Sequence, residues 1–172
     1  MSGFLIDPYF FVSAGIPGTP FVTGQTIGNV VAGSSSGYYT GFAASAGGSD
    51  IVVTAIGWYK HAGNSQVHNA KILDGSNVEV ASCTIDMSQA PDADGYVYGA
   101  INYTIPASTN FRIVVEDVTG DDRGDVSPPT SVTTTAVASV AAAYYWLNSG
   151  SNGAAYGGAY SYGPANFKYS SP

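Results

Sequence analysis

The sequence predicts an all-β fold: an antiparallel, jelly-roll-like β-sandwich over residues 38–172, preceded by an extended N-terminal arm over residues 1–37. Three observations predict it. From Tyr38 onward, β-branched and aromatic residues recur with period 2 in runs of strand length. Clusters of Gly, Asp, Asn and Pro separate those runs, as turns do in sandwiches. Before Tyr38 the periodicity is lost, and Pro8, Pro17, Pro20 and repeated glycines break the chain.

The arm carries the aromatics Phe4, Tyr9, Phe10, Phe11 and Phe21. It is too apolar for a free linker and too broken for regular structure. Those side chains are expected either to dock on another subunit or to pack on their own domain. The strands follow in order. Residues 38–46 alternate bulky and small side chains, and 51–59 are a β-branched and aromatic run. Residues 66–73 end in Asp74-Gly75, a hairpin signal, with 78–85 as the partner strand. Residues 91–95 form a loop, 96–103 alternate Tyr with small residues, and 111–116 put Phe111, Ile113 and Val115 on one face. Residues 136–147 are ambiguous. Their alanines favour helix, but Thr133–Thr135 before them and Tyr144-Tyr145-Trp146 at their end favour strand, and strand is the assignment. Residues 148–163 read as a long loop and 167–169 as a closing strand.

Composition narrows the function classes. The chain has 172 residues, enough for one domain. Charged residues make up only 10%, against roughly 25% in ordinary soluble proteins. The net charge is −7, and Lys60, Lys71, Arg112, Arg123 and Lys168 are scattered. Nucleic acid and anionic membranes both need clustered cations, so neither is an expected partner. Cys83 is the only cysteine, which excludes an intrachain disulfide, and its strand-like setting predicts a small core residue. Residues 1–8 lack a basic start, and Asp7-Pro8 interrupts the apolar run, so no export signal is expected there. Secreted-type composition without that signal fits a protein that leaves the cell inside a virus particle.

Several motifs carry the residue types of functional sites. Gly33-Ser34-Ser35-Ser36-Gly37 spells G-x-S-x-G, but no strand precedes it and no helix follows it, so a hinge is the reading. His61 and His68 are too few for zinc, and a structural hydrogen bond is expected of His68. Glu116, Asp117, Asp121, Asp122 and Asp125 are the densest acidic cluster, a calcium candidate or a solvated loop; Asp92 and Asp94 are a weaker pair. Arg123-Gly124-Asp125 spells an adhesion tripeptide by three residues alone. The aromatics Tyr144, Tyr145, Trp146, Tyr156, Tyr160 and Tyr162 lie beside Gly-rich loops. They are the candidates for stacking on a glycan or contacting a subunit, while Trp58 and Phe111 read as core.

The order of landmarks carries a resemblance. Gly41-Phe42 is followed by Val53-Thr54-Ala55-Ile56-Gly57-Trp58-Tyr59, by residues 63–74 with His68-Asn69-Ala70-Lys71-Ile72-Leu73-Asp74, and by Val80-Ala81-Ser82. Gly95-Tyr96-Val97-Tyr98, then Ile105-Pro106-Ala107-Ser108-Thr109-Asn110-Phe111, and finally Tyr162-Gly163-Pro164-Ala165-Asn166-Phe167 complete it. Over residues 38–169 this resembles the DUF4082-like jelly-roll modules of bacterial extracellular proteins. The resemblance implies a sandwich shaped like a carbohydrate-binding module, and it implies no catalytic residues. Asp121-Asp122-Arg123-Gly124-Asp125 stands where the family pattern leads one to look for aromatics.

The expectation is a non-enzymatic virion protein, a phage head decoration, cement or fibre-like surface protein tethered by its arm. Its partners would be other virion proteins or its own copies, a homo-oligomer and by analogy a trimer. The alternative is a glycan-binding or adhesion module of a secreted or cell-surface bacterial protein. No cofactor is expected apart from the calcium candidate.

Overall fold

The computed structural model describes residues 15–25, 30–33, 37–124, 132–147, 154–155 and 165–170, with the backbone alone at 124, 132, 141–147 and 154–155. Phe4, Tyr9, Phe10, Phe11, Asp125, Tyr156, Tyr160 and Tyr162 therefore lie outside the described residues. The strands are β1 (Thr19–Pro20), β2 (Val22–Gln25), β3 (Val30–Ala32), β4 (Tyr38–Ala46), β5 (Ile51–Tyr59), β6 (Val67–Asp74) and β7 (Glu79–Asp86). They continue with β8 (Tyr96–Ile105), β9 (Asn110–Asp117), β10 (Asp122–Gly124), β11 (Val132–Thr134), β12 (Ala138–Leu147), β13 (Ala154–Ala155) and β14 (Ala165–Ser170).

Two sheets pack face to face. One has the order β1-β14-β5-β8 and the other β13-β12-β4-β9-β6-β7. Two short ribbons, β10–β3 and β11–β2, complete the fold. Every pairing among the described residues is antiparallel. The expected all-β sandwich is what forms. The chain crosses between the sheets from β4 to β5, β5 to β6, β7 to β8 and β8 to β9, while β6 and β7 form a hairpin within one sheet, and the inward side chains of both sheets meet in one core. Ile56 and Trp58 of β5, Phe167 of β14 and Val97 of β8 face Phe42, Ile72, Ile85, Phe111 and Ile113 from the opposite sheet. Each such fully buried side chain contributes about 1.5–3 kcal/mol relative to exposure. The alanine-rich stretch is strand: β12 pairs along the whole of β4, with one irregularity between Val140 and Ala142.

The proposed arm boundary at residue 37 is corrected. Phe21 is fully buried. Its ring stacks 4.6 Å from Phe167 and 5.7 Å from Phe42. Its N–H donates to the Phe167 carbonyl at 2.8 Å. Phe21 is thus a core residue and not an assembly contact. The Asn166 side chain clamps its neighbour, accepting from the Val22 N–H at 2.8 Å and donating to the Val22 carbonyl at 3.1 Å. Further on, β3 pairs with β10. Pro17, Gly18 and Pro20 erase any periodicity here, yet a two-residue edge strand tolerates Pro20, because an edge strand can leave its missing N–H on the unpaired side.

Candidate functional site

The edges of the two sheets come together where β7 meets β8. A Cβ on Gly99 would lie 2.1 Å from the Thr84 carbonyl oxygen and 3.2 Å from Cys83 Sγ, so only glycine allows this approach. Farther along both strands the edges part. Val80 and Tyr103 pack against the core but stay half-buried. A groove of about 400 Å³ opens between them. Its floor is Ile72, Ile105 and Phe111, and its rim includes Asp74, Thr109 and Asn110. An apolar floor with a few convergent polar groups is the usual make-up of a small-molecule site.

Backbone irregularities converge on this groove. The β6–β7 register runs Ile72 to Ala81 and then Leu73 to Glu79, which leaves Val80 as the bulged residue. The β5–β8 register shifts between Val53 and Ala55, and Val53 pairs with Tyr103. Among the described residues, two non-glycine residues adopt positive φ, Asn77 at 70° and Ser108 at 57°, one in each turn flanking the groove. Bulges and left-handed residues cost energy and are held only where surrounding contacts fix them. Those contacts are present. The Asp74 carboxylate accepts from the Ser76 and Val78 amides at 2.8 and 2.9 Å. The 106–109 turn is pinned by Ser108 N–H to Gly47 O and Ala46 N–H to Thr109 O, both 2.8 Å. Ala107 N–H adds a bond to Asp50 Oδ1 at 2.8 Å. Across that turn a second groove, of about 420 Å³, lies between residues 47–51, Ala136, Val137 and Tyr169.

The polar groups of the first groove are held in place. Thr109 Oγ1 donates to the Pro106 carbonyl at 2.7 Å, and Ser45 Oγ donates to Asn110 Oδ1 at 2.6 Å. That leaves the threonine oxygen as an acceptor and the Asn110 amide nitrogen as a donor. Arg112 donates to the Asp74 carbonyl at 2.7 Å. Sequence reasoning missed this site. Its residues come from four strands and two turns, and no local motif joins them.

The calcium candidate is not supported by the geometry. Asp121 is buried and accepts from the Ser65 and Gln66 amides and from His68 Nε2, each at 2.9 Å. Asp117 is paired with Arg123 at 2.6 Å. Glu116 accepts from Gly37 N–H and Asn69 Nδ2. These carboxylates point to separate partners, because alternation along β9 and the turn after it send them in different directions. Among the described residues no group of three His, Cys, Asp or Glu could hold a metal ion. Burial pushes the Asp121 carboxyl up, but His68 and the two amides more than offset it and hold it below the usual carboxylate range. His68 Nδ1 also bonds the Glu116 carbonyl at 2.7 Å, the structural bond expected of it. In the adhesion-like tripeptide, Arg123 lies in β10 paired with Val31 and bound to Asp117, not at a free loop tip.

The aromatic candidates divide. The β12–β4 register sets Tyr144 opposite Gly41, Tyr145 opposite Thr40 and Trp146 opposite Tyr39. Tyr39 lies in a small outward cluster with Leu73 and Val114, under the Lys71 ammonium at 4.6 Å. A second aromatic group was not foreseen: Tyr59, His61, Tyr96 and Tyr98 contact one another at one end of the sandwich. Tyr98 donates to Asp94 at 2.6 Å and lies 4.3 Å beneath the Lys168 ammonium, which pairs with Asp92 and reaches the Ile16 carbonyl. Gln25 donates to the Tyr96 hydroxyl, and this bond and the Lys168 bond to Ile16 help fasten residues 15–25 to the sheet. No protein-family model matches the chain, and a search of the curated proteins returns no significant match.

Proposed function

We propose that this chain is a non-enzymatic structural protein of a virus particle, a phage head decoration, cement or fibre-like surface protein. The observation that carries the reading is how residues 15–25 are rooted. Phe21 in the core, the Asn166 clamp on Val22, the Thr54 hydroxyl bond to the Pro17 carbonyl at 2.8 Å and the Lys168 bond to Ile16 fix this stretch to the sheet edge. Immediately before it, residues 1–14 carry Phe4, Leu5, Ile6, Tyr9, Phe10 and Phe11. An apolar stretch rooted in a rigid edge suits contact with a shell protein or a sister copy. The sparse charge supports the same reading. The test is deletion of residues 1–14 in the particle-producing host. The expected result is a folded protein absent from purified particles; full occupancy by the deleted form would refute the tether.

A second reading is a glycan-binding or adhesion module of a secreted or cell-surface bacterial protein. The groove between β7 and β8 is the observation that favours it.

A further inference from the structure

We infer that the groove between β7 and β8 binds a neutral saccharide, with Tyr103 as the apolar contact and Asn110 and Thr109 as the groups that read its hydroxyls. This rests on the binding reading of the sandwich and is independent of where the protein resides.

Four observations lead to the ligand class. First, the cavity of about 400 Å³ falls in the size range of small-molecule sites. Second, its wall is half-buried Tyr103 over an aliphatic and aromatic floor, which suits the C–H face of a sugar ring. Third, Thr109 and Asn110 line the rim, and their bonds to Pro106 and Ser45 leave the Thr109 oxygen able to accept and the Asn110 amide able to donate. Hydroxyl groups both donate and accept, so a polyhydroxyl ring satisfies both. Fourth, the charge balance disfavours ions. An anion would meet Asp74 on a chain of net charge −7. A cation would find that carboxylate already accepting two backbone amides. The bulge at Val80 and the left-handed Asn77 and Ser108 set the walls in advance, which lowers the ordering cost of binding.

The experiment is NMR titration of the full chain with neutral mono- and disaccharides: glucose, galactose, mannose, N-acetylglucosamine and their β-1,4-linked dimers. Glucuronic acid and glucosamine serve as charged controls. The expected result is saturable binding of at least one neutral sugar, with shifts confined to residues 72–80 and 103–111. Tyr103→Ala should weaken it about 10-fold or more, Asn110→Ala should weaken it, and Tyr103→Phe should keep it. Val67→Ala, exposed at the far end of β6, should leave it unchanged. Absence of saturable shifts with every neutral sugar overturns the proposal, and so do shifts that map elsewhere or binding equal in Tyr103→Ala. Should Tyr103→Ala fail to fold, the wild-type shift map decides alone. Groove shifts that follow protein concentration without sugar would show a second copy as the occupant and also overturn it. Particle incorporation is read separately, so failure here leaves the virion reading intact.

Discussion

Gly99 is a point of close contact between the edges of the two sheets, and the consequence can be measured. Gly99→Ala sets a methyl group 2.1 Å from the Thr84 carbonyl, so the backbone must move. Overpacking of this kind costs about 1–3 kcal/mol, which urea denaturation would show as a lower midpoint at unchanged slope. Cys83 beside it is held protonated: burial pushes its thiol up to about 11. The native protein should react slowly with a thiol reagent at pH 7.5 and rapidly once unfolded. His61 gives a pH test. Burial lowers its pKa from the ordinary 6.5, with Asp122 pulling the other way. Below pH 6.5 the unfolded chain takes up a proton that the folded chain refuses, so stability is full above that pH and falls as the pH drops toward the folded value. Asp121, also held low, adds a second loss below about pH 4. Urea midpoints from pH 7.5 to 5 should decline, and His61→Gln should flatten that decline.

Among the elements, β4 to β9 were legible from their period-2, β-branched and aromatic runs, and β12 from Thr133–Thr135 before it and Tyr144-Tyr145-Trp146 at its end. Bulges shift register inside β5, β7 and β12 but leave enough regular strand on either side. The hairpin at Asp74-Gly75 was legible too, although the left-handed residue is Asn77 and not the glycine. The short strands β1, β2, β3, β10 and β11 were not legible. They run two to four residues, and tertiary contacts define them rather than local pattern. Phe21 shows the cost of that blindness. One aromatic in a Pro- and Gly-rich stretch looks like an assembly contact until the fold brings Phe42 and Phe167 to it. Phe21→Ala should cost about 3–5 kcal/mol. It should also release residues 15–25, which limited proteolysis would detect as new cleavage there.

For the whole molecule, Asp121, Asp122, His68 and Asn64 prove to be internal bonding that ties the turn after β9 and the start of β10 to β6 and the β5–β6 loop, and Arg123 ties β10 to Asp117 of β9. Their spacing in sequence resembled sites because buried polar networks use the same residue types as metal and catalytic centres. What remains for function is a rigid sandwich with a rooted N-terminal stretch at one edge and a groove at the β7–β8 edge. The claim that joins these features is that the protein belongs to a particle surface. Quantitative mass spectrometry of gradient-purified particles from the host that encodes it tests this directly. The expected result is the chain in a fixed whole-number ratio to the major shell protein, retained through washing. Particles lacking it, with the chain recovered only in the free protein fraction, would contradict the account.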